Sequence, residues 1–286
     1  MPDSAVIPAT TTFRMTSLAW ALAVQRATET LRTDSPGQVP DARPDSPPGP
    51  RPGDEAAFVA GLDGRTRAAI EGELAAAGIT DDAGTLRPQW LQALELSARA
   101  PIQADLVSRS GDSSTHCRVN LFDGRGLGVE FTRPVATAAD GNVVPAGVAD
   151  VVTVTLFPET VLWPVMARSL RRFPELLAGD GGVPPGDGDA VDPAEITDAA
   201  NAAEPARATV HLDVRSRAAG TGRQYHAGGV WALTDRLYSV RPAGPATAQR
   251  PVMTAVDGGD IARQLVWHVL GAQEFLANSA GEASAS

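Results

Sequence analysis

"ADLVSRSGDSSTHCRVNLFDGRGLGVEFTRP" occupies residues 104–134, and "VHLDVRSRAAGTGRQYHAGGVWALTDRLYSVRP" occupies residues 210–242. The two stretches share a rhythm rather than many identities. Each opens on an alternating run, passes a Ser/Gly-rich turn and continues through a second apolar run. Each then turns at Asp and Arg and closes a third run on Arg-Pro. In the first, Cys117, Val119 and Leu121 alternate with His116, Arg118 and Asn120, the period-two pattern of a strand with one buried face. "DGRG" at 123–126 suits a tight hairpin.

Working outward, strands are expected over about 102–108, 116–122 and 127–132, and, past a loop at 136–149, over 151–157. A helix follows over 158–175, kinked at Pro164. The same order returns with strands over about 208–215, 225–233, 236–240 and 251–256 and a helix over 259–277. The fold class is therefore α+β. A mainly antiparallel central sheet is built from two pseudo-two-fold related β-β-β-β-α units, about 102–177 and 207–277, inside one domain over 1–286. Either unit alone leaves an open edge and an uncovered face, and pairing the two closes a core within one chain.

The N-terminal part reads as helices: 16–31, capped by Thr16 or Ser17; 65–77, stopped at Gly78; and a third opened by Pro88 and ended by Pro101. A Pro-rich stretch, 33–53, reads as a disordered insertion, because proline fixes φ and removes the backbone donor. The acidic stretch 179–206 contains no basic residue before Arg207 and reads as a flexible linker; the polar tail 278–286 reads as frayed.

The chain of 286 residues carries a net charge of −10, which repels phosphate backbones and argues against nucleic-acid binding. No lysine occurs among the 24 basic residues, which removes Schiff-base and P-loop lysine chemistry. With abundant Ala, Gly and Pro, the absence of lysine suggests a GC-rich bacterial genome. The single cysteine, Cys117, fits a reducing compartment and a cytoplasmic location. No apolar run is long enough to span a membrane. Residues 13–25 loosely resemble a secretory leader, but Asp3 before them and Arg26 directly after favour an amphipathic first helix.

No constellation points to chemistry. "DGRGLG" precedes a strand, not the helix that a dinucleotide fingerprint needs. His116 and Cys117 are neighbours on one strand and point to opposite faces. The serines near 108–114 lack a Gly-x-Ser-x-Gly elbow. The chain is expected to be non-enzymatic, with no catalytic residue, metal or cofactor. An enzyme in which His116, His226 and Glu130 or Asp213 converge near the pseudo-axis is the lesser alternative. Apolar surface is more informative: Trp163, Phe173, Trp231, Trp267 and Leu270 exceed what narrow core-facing stripes require, and are the expected partner-binding residues.

One stretch, "AAAGITDDAGTLRPQWLQALELSARAPIQADLVSRSGD" at 75–112, resembles the EspG-type chaperones of type VII (ESX) secretion in actinobacteria. The matching positions are Gly78, Ile79, Asp81, Gly84, Leu91, Leu94, Ala98, Arg99 and Pro101. The coarse resemblance spans about 12–277. It implies a cytosolic chaperone that keeps a helical secretion substrate, of PE/PPE or WXG100 type, soluble for export. A homodimeric structural or regulatory sheet protein is the rival expectation.

Overall fold

The computed structural model describes residues 10–34, 61–138, 143–147, 149–177, 206–218, 223–243 and 250–284. The Pro-rich stretch 33–53 and the acidic stretch 179–206 lie outside these residues, apart from 33–34, which end the first helix, and 206.

Each hairpin at the centre of the fold is set by turn chemistry. β2 (Ile102–Ser110) and β3 (Ser113–Phe122) are joined through Gly111 and Asp112, with Gly111 at φ 57° and Ser110 paired to Ser113, the pattern of a type II′ turn. β3 meets β4 (Arg125–Thr137) through Asp123 and Gly124, at φ 47° and 68°, and both positive angles mark a type I′ turn. A short β5 (Val143–Pro145), not anticipated from sequence, pairs with the end of β4, and β6 (Val151–Pro158) pairs with its first half, Arg125 to Phe131. The second half contains β7 (Ala208–Arg217), β8 (Gln224–Leu233), β9 (Leu237–Ala243) and β10 (Arg250–Ala255).

With the N-terminal β1 (Thr11–Thr16), these strands form one antiparallel ten-stranded sheet in the order β1-β6-β4-β3-β2-β7-β8-β9-β10, with β5 attached to β4. Between β6 and β10 the order runs back through equivalent strands on either side of the β2–β7 seam, as a pseudo-two-fold axis at that seam requires. β1 is not among the elements expected from sequence. "TTFRMT" offers only Phe13 and Met15 as apolar residues and gains its partner, β6, from far along the chain.

One face of the sheet is covered by α5 (Asp260–Ser284) and by the segment after β6. That segment is not one kinked helix but a series of short pieces: 3-10 turns at Glu159–Val161, Ala167–Leu170 and Pro174–Leu176 around α4 (Leu162–Met166). Proline is the cause. Pro164 is tolerated only because it falls in the first turn of α4, and Pro174 forces Phe173 out of the helical region, to φ −131°. α5 runs on through residue 284. Near its end Ser279 is buried, and its hydroxyl donates to the Phe275 carbonyl at 2.8 Å.

Among the described residues, the other face is covered in the N-terminal half, by α1 (Ser17–Asp34), α2 (Gly64–Ala76) and α3 (Pro88–Ala98). Thr16 caps α1, its Oγ1 accepting from the Ala19 amide at 3.1 Å while donating to Glu73 of α2 at 2.7 Å. These helices bury Met15, Leu22, Ile70, Leu74, Trp90 and Leu94 against Phe122, Leu127, Val152 and Val154.

Two glycines are required by aromatic rings on the α5 face. A Cβ at Gly126 would collide with the Phe157 ring opposite it, and a Cβ at Gly229 with the indole of Trp231. Gly229→Ala is expected to lower stability by about 1–3 kcal/mol in urea unfolding, as overpacking does. Gly72→Ala, in the exposed middle of α2 with open space around it, is expected to raise stability by about 0.5–1 kcal/mol.

Candidate partner-binding surface

Of the residues weighed for catalysis, His226 and Asp213 meet, and His116 and Glu130 stand elsewhere. His226 pairs with Asp213, whereas His116 bonds Ser114 through Nε2 at 2.9 Å and stacks on Phe131, ring centroids 4.9 Å apart. Glu130 lies on the opposite face, since it pairs with Cys117, a member of the core under α5. Burial raises the Glu130 pKa, against the pull of Arg168 and Arg171. Cys117 is 2 % exposed, and burial pushes its thiol far up, so it is a small core residue rather than a nucleophile. Among the described residues no three His, Cys, Asp or Glu side chains group as a metal site.

What stands at the pseudo-axis is a charge ladder. Asp105 and Asp213 are directly opposed across the β2–β7 seam. Arg118 Nε donates to Asp105 at 2.6 Å, Gln103 Nε2 to the same carboxylate at 2.7 Å, and Arg215 approaches Asp213 at 2.5 Å. The cations offset two like charges that would otherwise repel across the strands. Half-exposed pairs of this kind contribute little each, about 0–1 kcal/mol. A groove of about 210 Å³ beside the C-terminal half of α5 is bridged by Gln273 Nε2 donating to Glu159 at 2.6 Å. It is smaller than the roughly 300 Å³ at which small-molecule pockets begin.

The five expected partner residues separate into three kinds. Trp231 is 1 % exposed, and its indole N–H donates to Asp260 at 2.8 Å; it is core, and this corrects its assignment to the partner surface. Trp163 and Phe173 are half-buried against the same core, with Arg207 lying 5.9 Å over the Phe173 ring. Trp267 and Leu270 stand in solvent, 74 % and 57 % exposed, and Val266, 49 % exposed, joins them. Leu270 lies three residues from Trp267 and four from Val266 on α5, so the three form one stripe. Ile261, Leu265, Val269 and Ala272 occupy the opposite side of the helix and pack onto the sheet. Val266 was legible as part of an unusually wide apolar arc, but nothing in sequence separated its outer half from its inner half.

A second apolar area lies on the face that α1–α3 cover elsewhere. One row crosses the whole sheet: Val152, Phe131, His116, Val107, His211, Val230, Val240, Met253. Its Val152 end is buried beneath the N-terminal helices, whereas Val230, Val240 and Met253 are half-buried and belong to neither core cluster of the described residues.

The positions that carry the family resemblance form a joint rather than a binding site. Gly78, at φ 67°, ends α2: its amide donates to Ala75 and the Ile79 amide to Leu74, while the Ile79 and Leu74 side chains are both fully buried. Asp81 Oδ1 accepts from the amides of Ala83 and Thr85 at 3.0 and 2.9 Å, and Gly84, at φ 77°, presents its carbonyl to Arg26 at 2.7 Å. Arg99 follows α3 as its C-cap and pairs with Glu95 at 3.1 Å.

No family profile matches the sequence. No curated protein matches it either. Among solved structures, the chain is similar to the Mycobacterium tuberculosis type VII secretion system chaperone EspG5, determined in complex with a PE25–PPE41 dimer. The match has 9 % identity and a TM-score of 0.47, and covers 89 % of this chain and 94 % of that one. A likeness of that degree carries no argument about what this chain does. Among the described residues no helix is long and apolar enough to cross a membrane.

Burial and the nearby Arg133 and Arg118 hold His116 down to a pKa of about 4 from its ordinary 6.5. The folded chain therefore keeps the ring neutral where the unfolded chain takes up a proton, so stability falls as the pH drops through that window. His116→Gln removes this proton linkage. Its melting temperature is expected to fall less than the wild type's between about pH 7 and pH 5, read by thermal unfolding at both.

Proposed function

We propose that this protein is a non-enzymatic chaperone that holds an apolar helical face of a secreted partner against the outer stripe of α5. The observation that carries the reading is the exposure of Trp267, 74 %, with Leu270 and Val266 beside it on one helix face. Three large apolar side chains on one stripe of a helix whose other side is already packed are a surface for association rather than a share of the core. Burying a Leu or Val side chain contributes about 1.5–3 kcal/mol, so the stripe can supply much of the energy of a micromolar complex. The sheet beneath α5 gives it a rigid seat, with Leu265 1 % and Ile261 0 % exposed.

The sequence resemblance at 75–112 supports the finer reading: a cytosolic protein that keeps a PE/PPE- or WXG100-type helical substrate soluble for delivery to type VII export, without cofactor or metal. Its matching positions build the α2–α3 joint, so they support kinship of fold and leave the partner surface to α5.

Co-expression with candidate helical substrates of these types tests the reading. The expected result is a complex on size exclusion and a higher soluble yield of the substrate. Trp267→Asp and Leu270→Asp are each expected to weaken that complex at least about tenfold while changing stability by no more than about 0.5 kcal/mol. Folded variants that bind as the wild type does would remove α5 from the site. No complex with any helical substrate would remove the chaperone reading.

A further inference from the structure

We infer that the exposed stripe of α5 is self-complementary and that a second copy of this chain covers it when no partner is bound. Along the outer side of α5 the exposed residues read Arg263, Val266, Trp267, Leu270, Glu274: a cation, three apolar side chains, an anion. The midpoint between Arg263 and Glu274 is also the midpoint between Trp267 and Leu270. An antiparallel copy related by a two-fold axis at that midpoint sets Trp267 of each chain on Leu270 of the other. The same operation sets Arg263 of each beside Glu274 of the other. Every contact is made twice, as an isologous interface requires.

Arg263 can serve both its own chain and a second one. Its Nη1 and Nη2 bond Asp257 at 3.0 and 2.9 Å, and Nη2 approaches Asp260 at 3.5 Å. A guanidinium has five donors, so N–H groups remain for a carboxylate arriving from outside, and the side chain is 48 % exposed. Glu274 lies on the exposed side of the helix, two turns beyond Val266. A parallel copy would instead set Arg263 against Arg263 and Glu274 against Glu274, so charge selects the antiparallel arrangement.

Two crossing helices with three apolar residues apiece bury well under the roughly 1,000 Å² of a stable interface, so the dimer is weak and dissociates on dilution. A weak dimer suits a surface that must be surrendered to a client. This regulatory role rests on the proposed function; the dimer itself does not.

Sedimentation velocity over a range of chain concentrations tests the inference, on the wild type, Glu274→Arg, Arg263→Glu and Leu270→Asp. The wild type is expected to shift from monomer toward dimer as concentration rises. Glu274→Arg and Leu270→Asp should each weaken the dimer at least about tenfold. Mixing Glu274→Arg with Arg263→Glu should restore a heterodimer, because both charge contacts then pair opposite signs. Leu270→Asp keeps the test decisive if Arg263→Glu perturbs the start of α5. A wild type that stays monomeric, or a dimer indifferent to Glu274→Arg and Leu270→Asp, overturns the inference. Client binding measured on the same variants separates the two readings: a monomeric Glu274→Arg that still binds client is the result expected if both hold. A client complex with a wild type that never dimerises defeats only the present inference, and a dimer with no client complex defeats only the proposed function.

Discussion

The structure depends on one strand pairing, β2 against β7. Eight residues of each run antiparallel from Ile102 opposite Ser216 to Arg109 opposite Thr209. This seam joins the strands β1–β6 to the strands β7–β10 in one sheet and makes one core of the residues beneath α5: Ala104, Leu106, Val210, Leu212 and Val214 are all at most 3 % exposed. The same register brings Asp105 and Asp213 face to face on the other side, so a partial neutralisation by Arg118 and Arg215 is part of the condition for joining the halves.

The two faces of that sheet are then treated differently. On the α5 face both halves are covered, one by a long helix and the other by a broken run of short turns. On the opposite face, among the described residues, α1, α2 and α3 lie over the first half, against β1, β3, β4 and β6. The row that ends in Val230, Val240 and Met253 has no described helix over it. Among the described residues, the pseudo-symmetry thus holds in the sheet and breaks in the helical layers.

Much of the sheet was readable because its central strands are covered strongly on one side. Cys117, Val119 and Leu121 are buried and Arg118 is exposed, as the alternation requires. The turns were readable because positive φ at Gly111 and Gly124 leaves few residue choices. β1 was not readable, since an edge strand with two apolar residues gains its stability from a partner some 140 positions away, Phe13 lying opposite Val154. The segment after β6 was read as one helix because its apolar spacing is helical, while proline decided its backbone. The Gly78–Gly84 joint, quoted for its family likeness, acts through caps and an Asp81-centred turn, a local use that spacing alone does not distinguish from a binding loop.

The sequence by itself determined the period of each element, and hence which residues share a side: 229, 231 and 233 on one side of β8, and 266 and 270 along one line of α5. It did not determine which side is inside. β8 is apolar at both parities, with Val230 and Ala232 between Gly229, Trp231 and Leu233, so alternation could not place Trp231 in the core. α5 is apolar around most of its circumference, and a helix can lay only one arc on a sheet. Tertiary packing chose the arc of Ile261, Leu265, Val269 and Ala272, which fits over β7, β8 and the seam, and so left Trp267 in water. Burial is a property of what an element meets, and the surface available to a partner is settled only after the chain has met itself.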